Sequence, residues 1–539
     1  MKTKFIITTG GVLSGLGKGV ACASIGNLLK TQGFSVFALK LDPYLNIDPG
    51  VMSPNEHGEV FVTADGGETD LDLGHYERFI DVKLNKDSNY TSGKIFTRIF
   101  EKERRGEYGG KTVQIVPHVT DEIIKIVTDL AESKQPDFML IEIGGTVGDI
   151  ESNPYIYAMS KFAAQHPANV LFTHLAFVPY LSASKEYKSK PSQVSIATLR
   201  SYGINPNLLL LRSQGEIDHN IIRKVAESSF LNPKQVISVP DKSTIYEVPL
   251  YLLKQGVLEI IFEHFHIQKE IELTKHQNWS RFIEKYLLPK QHQIKLLLVG
   301  KYMGLDDAYL SIIESIKIAQ AHNDVKIDFD LVSADTINAQ NADEILTKYD
   351  GVLILPGFGK RGFESKIFVS NYTRTHNIPT LGICLGFQAM VVNQARLQGI
   401  SNATSKEFAS ASATETYVLT PFYENGDKQQ IGGTLRLGED QVIAKPGTLA
   451  AKIYGDQVFF QRHRHRYEVA PQFRESLQDE NFVFSGSKPA SKNVAEICEL
   501  KNHPFYLGVQ YHPEFTTRVL TSNPLFDSFI QAVIVHKTK

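Results

Sequence analysis

Short apolar runs alternate along this chain with longer stretches of helical periodicity, the pattern of an α/β protein built on parallel sheets. The pattern predicts buried strands at Phe5–Thr8, Val36–Lys40, Phe138–Ile143, Leu171–Val178 and Leu208–Leu211. Amphipathic helices are expected between them, for example over Asp121–Glu132 and Ser192–Ser201. From about His266 to Gln293 the chain turns polar and helix-prone, and carries its single tryptophan, Trp279. A new α/β run then opens at Ile294–Gly300, with a strand-like Gly351–Leu355 after it. The polar segment reads as a boundary, which gives domains at 1–267 and 294–539 and a linker at 268–293.

With 539 residues, each half is long enough to bury its own core. Lys and Arg total 57 against 59 Asp and Glu, a net charge of −2. No bulk basic field exists to hold nucleic acid, so any phosphate recognition must be local. Three cysteines (Cys22, Cys384 and Cys498) cannot build a disulfide framework and suit a reducing, cytoplasmic setting. No apolar run approaches the ~18 residues of a membrane helix. The opening Met1–Ile7 mimics a signal peptide only briefly before Thr8-Thr9 and the glycine run, so a buried first strand is expected there.

That strand runs into Gly10-Gly11-Val12-Leu13-Ser14-Gly15-Leu16-Gly17-Lys18-Gly19 and then a helix-compatible Val20–Thr31. A strand feeding a Gly-rich turn that opens a helix aims backbone N–H groups and the helix dipole at phosphate oxygens. Lys18 would add a point charge. The strict P-loop spacing places a glycine where Val12 stands, and Gly19 replaces the usual hydroxyl residue that ligates Mg²⁺. Carboxylates elsewhere must then hold the metal, which wants hard oxygen ligands. Two segments offer them: Glu142 near the carboxyl end of Asp137–Glu142, and the alternating acids of Glu68-Thr69-Asp70-Leu71-Asp72, which share a face if extended. Further on, Lys185–Gln193 packs Lys, Ser and Gln donors ahead of a helix, with Pro191 and Ser192 as helix-start residues.

In the second half, Gly382-Ile383-Cys384-Leu385-Gly386-Phe387-Gln388 joins a strand to an apolar helix at a Gly-x-Cys-x-Gly turn. Such a turn permits the strained elbow that exposes a nucleophile and aims N–H groups at an oxyanion. A lone cysteine is usually a small buried hydrophobe. What points to chemistry is His512-Pro513-Glu514, an imidazole with a carboxylate two positions on to orient it. Leu355-Pro356-Gly357-Phe358-Gly359 supplies a further Gly-rich turn and a candidate oxyanion donor. The basic run Arg462–Glu468 is weak support for nucleic acid in a neutral chain, and better suited to an Arg pairing a substrate carboxylate.

These residues carry a resemblance. The Gly-Ile-Cys-Leu-Gly-Phe-Gln elbow and the His-Pro-Glu pair resemble class I glutamine amidotransferases. The whole chain is similar to the CTP synthases, most specifically over Ser53–Phe79, Lys102–Pro117, Ile141–Glu151, Lys188–Gln193 and Arg462–Val469. The resemblance implies a P-loop-type parallel-sheet synthetase domain followed by an α/β glutamine amidotransferase domain. Its activity is that of a ligase of pyrimidine biosynthesis: MgATP phosphorylates uracil O4 of UTP, and ammonia from glutamine displaces the phosphate. On this resemblance Gly15, Leu16, Gly17, Lys18, Gly19 and Val20 hold ATP phosphates, Pro240, Asp241 and Lys242 contact adenine, and Asp72 and Glu142 hold Mg²⁺. Lys40 lies near the transferred phosphoryl group. Ser14, Asp149, Ile150, Glu151, Lys188, Ser189, Lys190, Pro191, Ser192, Gln193 and Lys224 bind UTP or inhibitory CTP. Gly357, Leu385, Gly386, Phe387, Gln388, Glu407 and Arg466 bind glutamine; Cys384, His512 and Glu514 are catalytic. His57 is expected at an ammonia passage, GTP as activator, and a homotetramer of the kind that can stack into filaments.

The chain departs from the family pattern in places. The Pro356–Gly359 turn is one glycine short, Ser365 stands for a glycine in the segment after it, and Val194 replaces a histidine after Gln193. The loop around Asn402–Phe408 keeps Glu407 but is shorter upstream, and carries Lys406 for Thr. A cobyrinic-acid-type amidotransferase also joins a P-loop to a glutaminase but has no use for a uracil pocket; a partitioning-type P-loop ATPase needs no thiol.

Overall fold

Every apolar run expected as a strand is one in the computed structural model, within a few residues at its ends. The structure describes residues 2–409, 414–422, 435–455, 457–489 and 491–539. They form two compact units, one of residues 1–49 and 72–283, the other of residues 50–71 and 284–539.

The first unit is built on a seven-stranded sheet. In spatial order its strands are Val236–Pro240, Leu208–Ser213, Val170–Phe177, Lys4–Gly10, Phe138–Ile143, Val36–Asp42 and Asn89–Thr91, and every neighbouring pair is parallel. Lys4–Gly10 and Phe138–Ile143 are buried at nearly every position because helices cover both faces, as all-parallel sheets require. The two helices expected between strands are present as Thr120–Lys134 and Lys190–Ser201. The helix-prone segment at 268–293 does contain a helix. The segment's central part forms the helix Gln277–Leu287, and Trp279 is buried there, its indole donating to Tyr246 O at 2.8 Å beside Phe79. The polarity that suggested a linker belongs to the outer face of an amphipathic helix.

The second unit carries a nine-stranded sheet. Val325–Ser333, His292–Gly300, Gly351–Ile354, Thr380–Ile383 and Tyr506–Val509 run parallel, and Ser491–Leu500, Phe482–Lys488, Arg436–Ala444 and Phe459–His465 extend the sheet antiparallel. Its unexpected member is the segment of residues 50–71. There the short strands Phe61–Val62 and Glu68–Thr69 pair antiparallel, and Phe61 packs edge-on against Phe515 at 5.1 Å. An isolated two-stranded hairpin is marginal in water, so this one depends on the unit that receives it.

Candidate active sites

In open parallel sheets ligands bind beyond the carboxyl ends of the strands, at a point where strand order reverses. Lys4–Gly10 is such a point, with Phe138–Ile143 on one side and Val170–Phe177 on the other. The glycine turn leaves that strand and enters the helix Lys18–Thr31 through Gly17 at φ 90°. Val12, which stands where the strict spacing has glycine, takes φ 80°, a left-handed conformation that a β-branched residue rarely adopts. The substitution therefore keeps the turn's shape. Lys18 is buried and donates to Gly145 O at 2.6 Å, and burial lowers its pKa.

The replacement of a hydroxyl residue by Gly19 has a spatial counterpart. A Cβ built on Gly19 would lie 1.9 Å from Asp72 Oδ1, so the Asp72 carboxylate occupies the place of the missing side chain. Lys40 and Glu142 face each other in register across neighbouring strands, and Lys40 Nζ reaches Glu142 Oε1 at 2.9 Å and also Asp72. Tyr76 donates to the other Glu142 oxygen. Burial would raise the Asp72 pKa, but Lys40 outweighs it and holds the group down at about 2. Burial and the Asp72 charge raise Glu142. The expectation of a shared extended face over Glu68–Asp72 fails: Asp72 starts the helix Asp72–Ile80, and Glu68, itself part of the second unit, pairs there with Arg464 at 2.8 Å. Among the described residues no cluster of three or more His, Cys, Asp or Glu is arranged to hold a metal ion.

A cavity of about 350 Å³ brings Gly15, Gly17 and Val20 together with Pro240, Asp241 and Lys242. Arg212, which sequence reasoning missed, lines it too, and bonds Val239 O at 2.8 Å and Asp241 Oδ1 at 2.7 Å. Its position at the carboxyl end of Leu208–Ser213 was the available signal. Leu16 is buried beneath the turn, and Gly19 lies within the helix's first turn. Ser14 lines a smaller adjoining cavity with Arg212 and Ser213. Of the residues expected at the pyrimidine nucleotide, Asp149, Ile150 and Glu151 stand exposed in the turn after Phe138–Ile143, where Asp149 caps Thr146 N–H at 3.2 Å. Lys188, Pro191 and Gln193 are partly buried, Ser189 buried and Lys190 exposed at the start of Lys190–Ser201. The Ser192 hydroxyl is committed to Phe177 O at 2.8 Å. Lys188 pairs with Glu186, whose carboxyl is drawn down by Lys188 and, more weakly, by Lys224. Among the described residues no hydrogen bond or ion pair joins these cations to the Asp149–Glu151 turn.

In the second unit the same strand-end logic applies. Cys384 follows Thr380–Ile383 at φ 52°, ψ −100°, the strained elbow expected of it, and the helix Leu385–Leu397 begins directly after. The flanking glycines are required by space: a Cβ on Gly386 would meet Ile354 O at 2.1 Å, and one on Gly382 the Gly386 carbonyl carbon at 2.9 Å. His512 Nδ1 and Glu514 Oε1 lie 2.7 Å apart. Burial would lower His512, but Glu514 and Cys384 overcome it, and the imidazole is pushed up to about 10. A thiol beside such an imidazole can ionise as a thiolate–imidazolium pair. Cys384, His512 and Glu514 line one cavity of about 60 Å³, with Tyr302, Gly357, Phe358, Arg464 and, from the inserted segment, Pro54 and Val60. His57 lies exposed within this segment and is not one of the lining residues.

The shortened turn is pinned by Lys301 and Tyr302, which sequence reasoning missed, and by the expected Glu407. Lys301 Nζ donates to Phe358 O and Gly359 O, Tyr302 OH accepts Phe358 N–H at 3.2 Å, and Glu407 Oε1 accepts Gly359 N–H at 2.7 Å. Gly357 N–H is left as the turn's open donor among the described residues. The Arg466 charge reaches Glu407, whose carboxyl burial raises. Phe387 and Gln388 are buried in the helix, and the Gln388 amide donates to Tyr467 O at 3.1 Å. Arg462 and Arg464 of the basic run serve the inserted segment: Arg462 donates to Val62 O at 3.0 Å, and Arg464 to Glu68 Oε1 at 2.8 Å and Gly50 O at 3.0 Å.

The family model for the CTP synthase N-terminus matches residues 4–267, and the one for class-I glutamine amidotransferases matches residues 305–532. A CTP synthase of Mycoplasmopsis pulmonis is 55% identical over 99% of this chain and 98% of its own length. The chain belongs to the CTP synthase family. Further CTP synthases, from Mesoplasma florum and Geobacillus kaustophilus, are 45% identical over 99% of this chain and 44% over 98%, and are covered to 100% and 99% of their own lengths. A member of this family is a ligase, with a parallel α/β synthetase part and a glutamine amidotransferase part, as expected from the sequence. Among the described residues no helix is long and apolar enough to cross a membrane.

Proposed function

We propose that the two units divide the CTP synthase reaction between them, the first activating UTP and the second supplying ammonia from glutamine. The observation that carries this reading is the pairing of a complete Cys384/His512/Glu514 constellation with a glycine turn whose lost metal ligand is replaced in space by Asp72.

In the first unit, the amides of Gly15–Val20 and the Lys18 ammonium would hold the ATP phosphates, and the cavity between Gly15 and Pro240–Lys242 the adenine. Asp72 and Glu142 offer hard oxygens that suit Mg²⁺, and Gly19 leaves the first of them its space. Mg²⁺ there would neutralise phosphate charge during transfer. Lys40, bonded to both carboxylates, is placed to meet the negative charge that develops on the transferred group. Transfer to uracil O4 turns a poor leaving oxygen into phosphate, which ammonia can displace. Lys188, Lys190, Lys224 and the helix start at Ser189–Gln193 are the groups we assign to the triphosphate of UTP or CTP, and Asp149–Glu151 to the nucleotide's remaining contacts.

In the second unit Cys384 attacks the glutamine carboxamide, His512 transfers the proton to departing ammonia, and Glu514 keeps the imidazole oriented. Gly357 N–H and the first-turn amide of Leu385 would receive the oxyanion. Gly386, Phe387 and Gln388 form the helix start beneath the substrate, and Glu407 and Arg466 take its charged α-groups. Water then hydrolyses the thioester. The cavity at Cys384 has room for a few water-sized molecules, which supports it as the start of an ammonia route.

GTP activation, CTP inhibition and a homotetramer follow from the resemblance. Large apolar side chains left in solvent on the first unit, Phe100 at 65% and Val116 at 56% exposure, support self-association. Three free, buried cysteines support a cytoplasmic setting.

The test is CTP formation by the purified protein from UTP, MgATP and either glutamine or ammonia. The wild type should use both nitrogen sources. Cys384→Ala should lose only the glutamine-dependent reaction. Failure of folded Cys384→Ala with ammonia would refute the division of labour, and no CTP from wild type under either condition would refute the function.

A further inference from the structure

Gln510 stands two residues before His512, and nothing in the reaction as described uses it. It is wholly buried at 0% exposure, on the continuation of Tyr506–Val509. That strand pairs with the strand that carries the elbow, Ile383 in register with Val509, and Cys384 N–H donates to Val509 O at 2.8 Å. Gln510 N–H in turn donates to Glu496 O at 2.9 Å, which fixes the residue from the other side. Its side-chain Nε2 lies 3.7 Å from Cys384 Sγ.

The direction of that contact is set from a distance. Tyr467 O is a backbone carbonyl and can only accept, so the Gln388 group facing it at 3.1 Å must be its NH₂. The same NH₂ faces Gln510 at 3.2 Å and therefore requires the Gln510 oxygen there. Gln510 must then turn its own NH₂ toward the sulfur. An amide flip would set two donors against each other and leave a buried oxygen against the thiolate. On its other side the sulfur lies 3.8 Å from Arg464 O, an acceptor that only a protonated thiol can use. The sulfur thus sits between a donor that favours thiolate and an acceptor that favours thiol.

We propose that Gln510, its orientation fixed by Gln388 and Tyr467 O, is a positioning residue that holds the Cys384 sulfur as a thiolate turned away from Arg464 O. The proposal rests on the reading of Cys384 as nucleophile. A thiolate gains a charge-assisted hydrogen bond from the amide, and a thiol gains little.

The experiment measures the rate of Cys384 alkylation by iodoacetamide against pH in the full-length protein, with the site identified by peptide mass spectrometry and folding followed by the thermal midpoint. Gln510→Met keeps the volume and removes the donor. Its alkylation at pH 7 should be about tenfold slower, with the profile displaced to higher pH, since one charge-assisted hydrogen bond shifts such an equilibrium by about one decade. Gln510→Glu, nearly isosteric, should be slower still because a carboxylate repels the thiolate, and it carries the test if the Met variant does not fold. Gln388→Met should give a smaller loss by freeing the Gln510 amide to turn. An unchanged pH profile in a folded Gln510 variant, with or without a lower thermal midpoint, overturns the proposal. A wild-type protein whose Cys384 resists alkylation at every pH would overturn the nucleophile reading, and this proposal with it.

Discussion

Gly19→Ala is the smallest change that tests how the synthetase site is assembled. The added Cβ would sit 1.9 Å from Asp72 Oδ1 and 2.6 Å from its carboxyl carbon, where ordinary contact begins at 3.4 Å. The carboxylate must therefore retreat by about 1.5 Å, and misplacement of a reacting group by ~1 Å costs on the order of a hundredfold in rate. Retreat is not free, because Asp72 is held by Lys40 and its side chain is only 19% exposed. Helix propensity acts the other way: replacing glycine by alanine inside a helix favours folding by up to ~1 kcal/mol, so a rate loss cannot be ascribed to a weakened helix. Ammonia-dependent CTP formation, followed by absorbance, should fall about a hundredfold, while glutamine hydrolysis at Cys384 persists. Gly19→Ser combined with Asp72→Gly, which returns the oxygen ligand to the helix and vacates the clash, should recover part of the loss. A Gly19→Ala protein with near-normal ammonia-dependent synthesis would refute the spatial exchange of Gly19 for Asp72.

Glu142→Gln should abolish synthesis from either nitrogen source while the protein stays folded, since Lys40 can still donate to the amide oxygen and the Tyr76 hydroxyl can turn to accept from its NH₂; retained CTP formation would remove Glu142 from the metal pair. For Glu514→Gln the expected signature is in stability against pH. His512 is raised from 6.5 to about 10 in the folded protein, so the folded state binds the extra proton between those values. The stabilisation is complete below about pH 6.5 and declines as pH rises through about 10. Chemical denaturation should therefore show the wild-type advantage over Glu514→Gln shrinking from pH 7 to pH 10; a constant difference would mean that Glu514 does not hold the imidazolium.

The parts of this molecule legible from sequence are those whose chemistry lies in a few consecutive residues. The glycine turn before Lys18 and the elbow at Cys384 each join a strand to a helix within ten residues, and both stand as expected. What a local pattern cannot supply is the partner across space. Gly386 reads in sequence as a residue that permits the elbow's backbone, yet it is required by space, because Ile354 O lies 2.1 Å from where its Cβ would be. Glu68 and Asp72 looked like one acidic face because alternation has period two only while the strand lasts, and the strand ends at Thr69.

The same limit explains the inserted segment. Residues 50–71 have nothing in composition to mark them as leaving the first unit, since a short hairpin reads the same wherever it packs. Their attachment is written in Arg462 and Arg464, about four hundred positions later in the chain, two members of the basic run that also holds Arg466. Those two guanidiniums hold Val62 O, Glu68 and Gly50 O, and Arg464 also lies over the Phe358 ring at 4.9 Å, in the turn whose Gly357 lines the thiol cavity. The chain then returns to the first unit at Asp72 itself. A covalent path of four residues thus runs from the arginine grip at Glu68 to the carboxylate that replaces the hydroxyl of the glycine turn. The hairpin's place is therefore fixed by side chains far along the chain, and no pattern confined to residues 50–71 could have shown it.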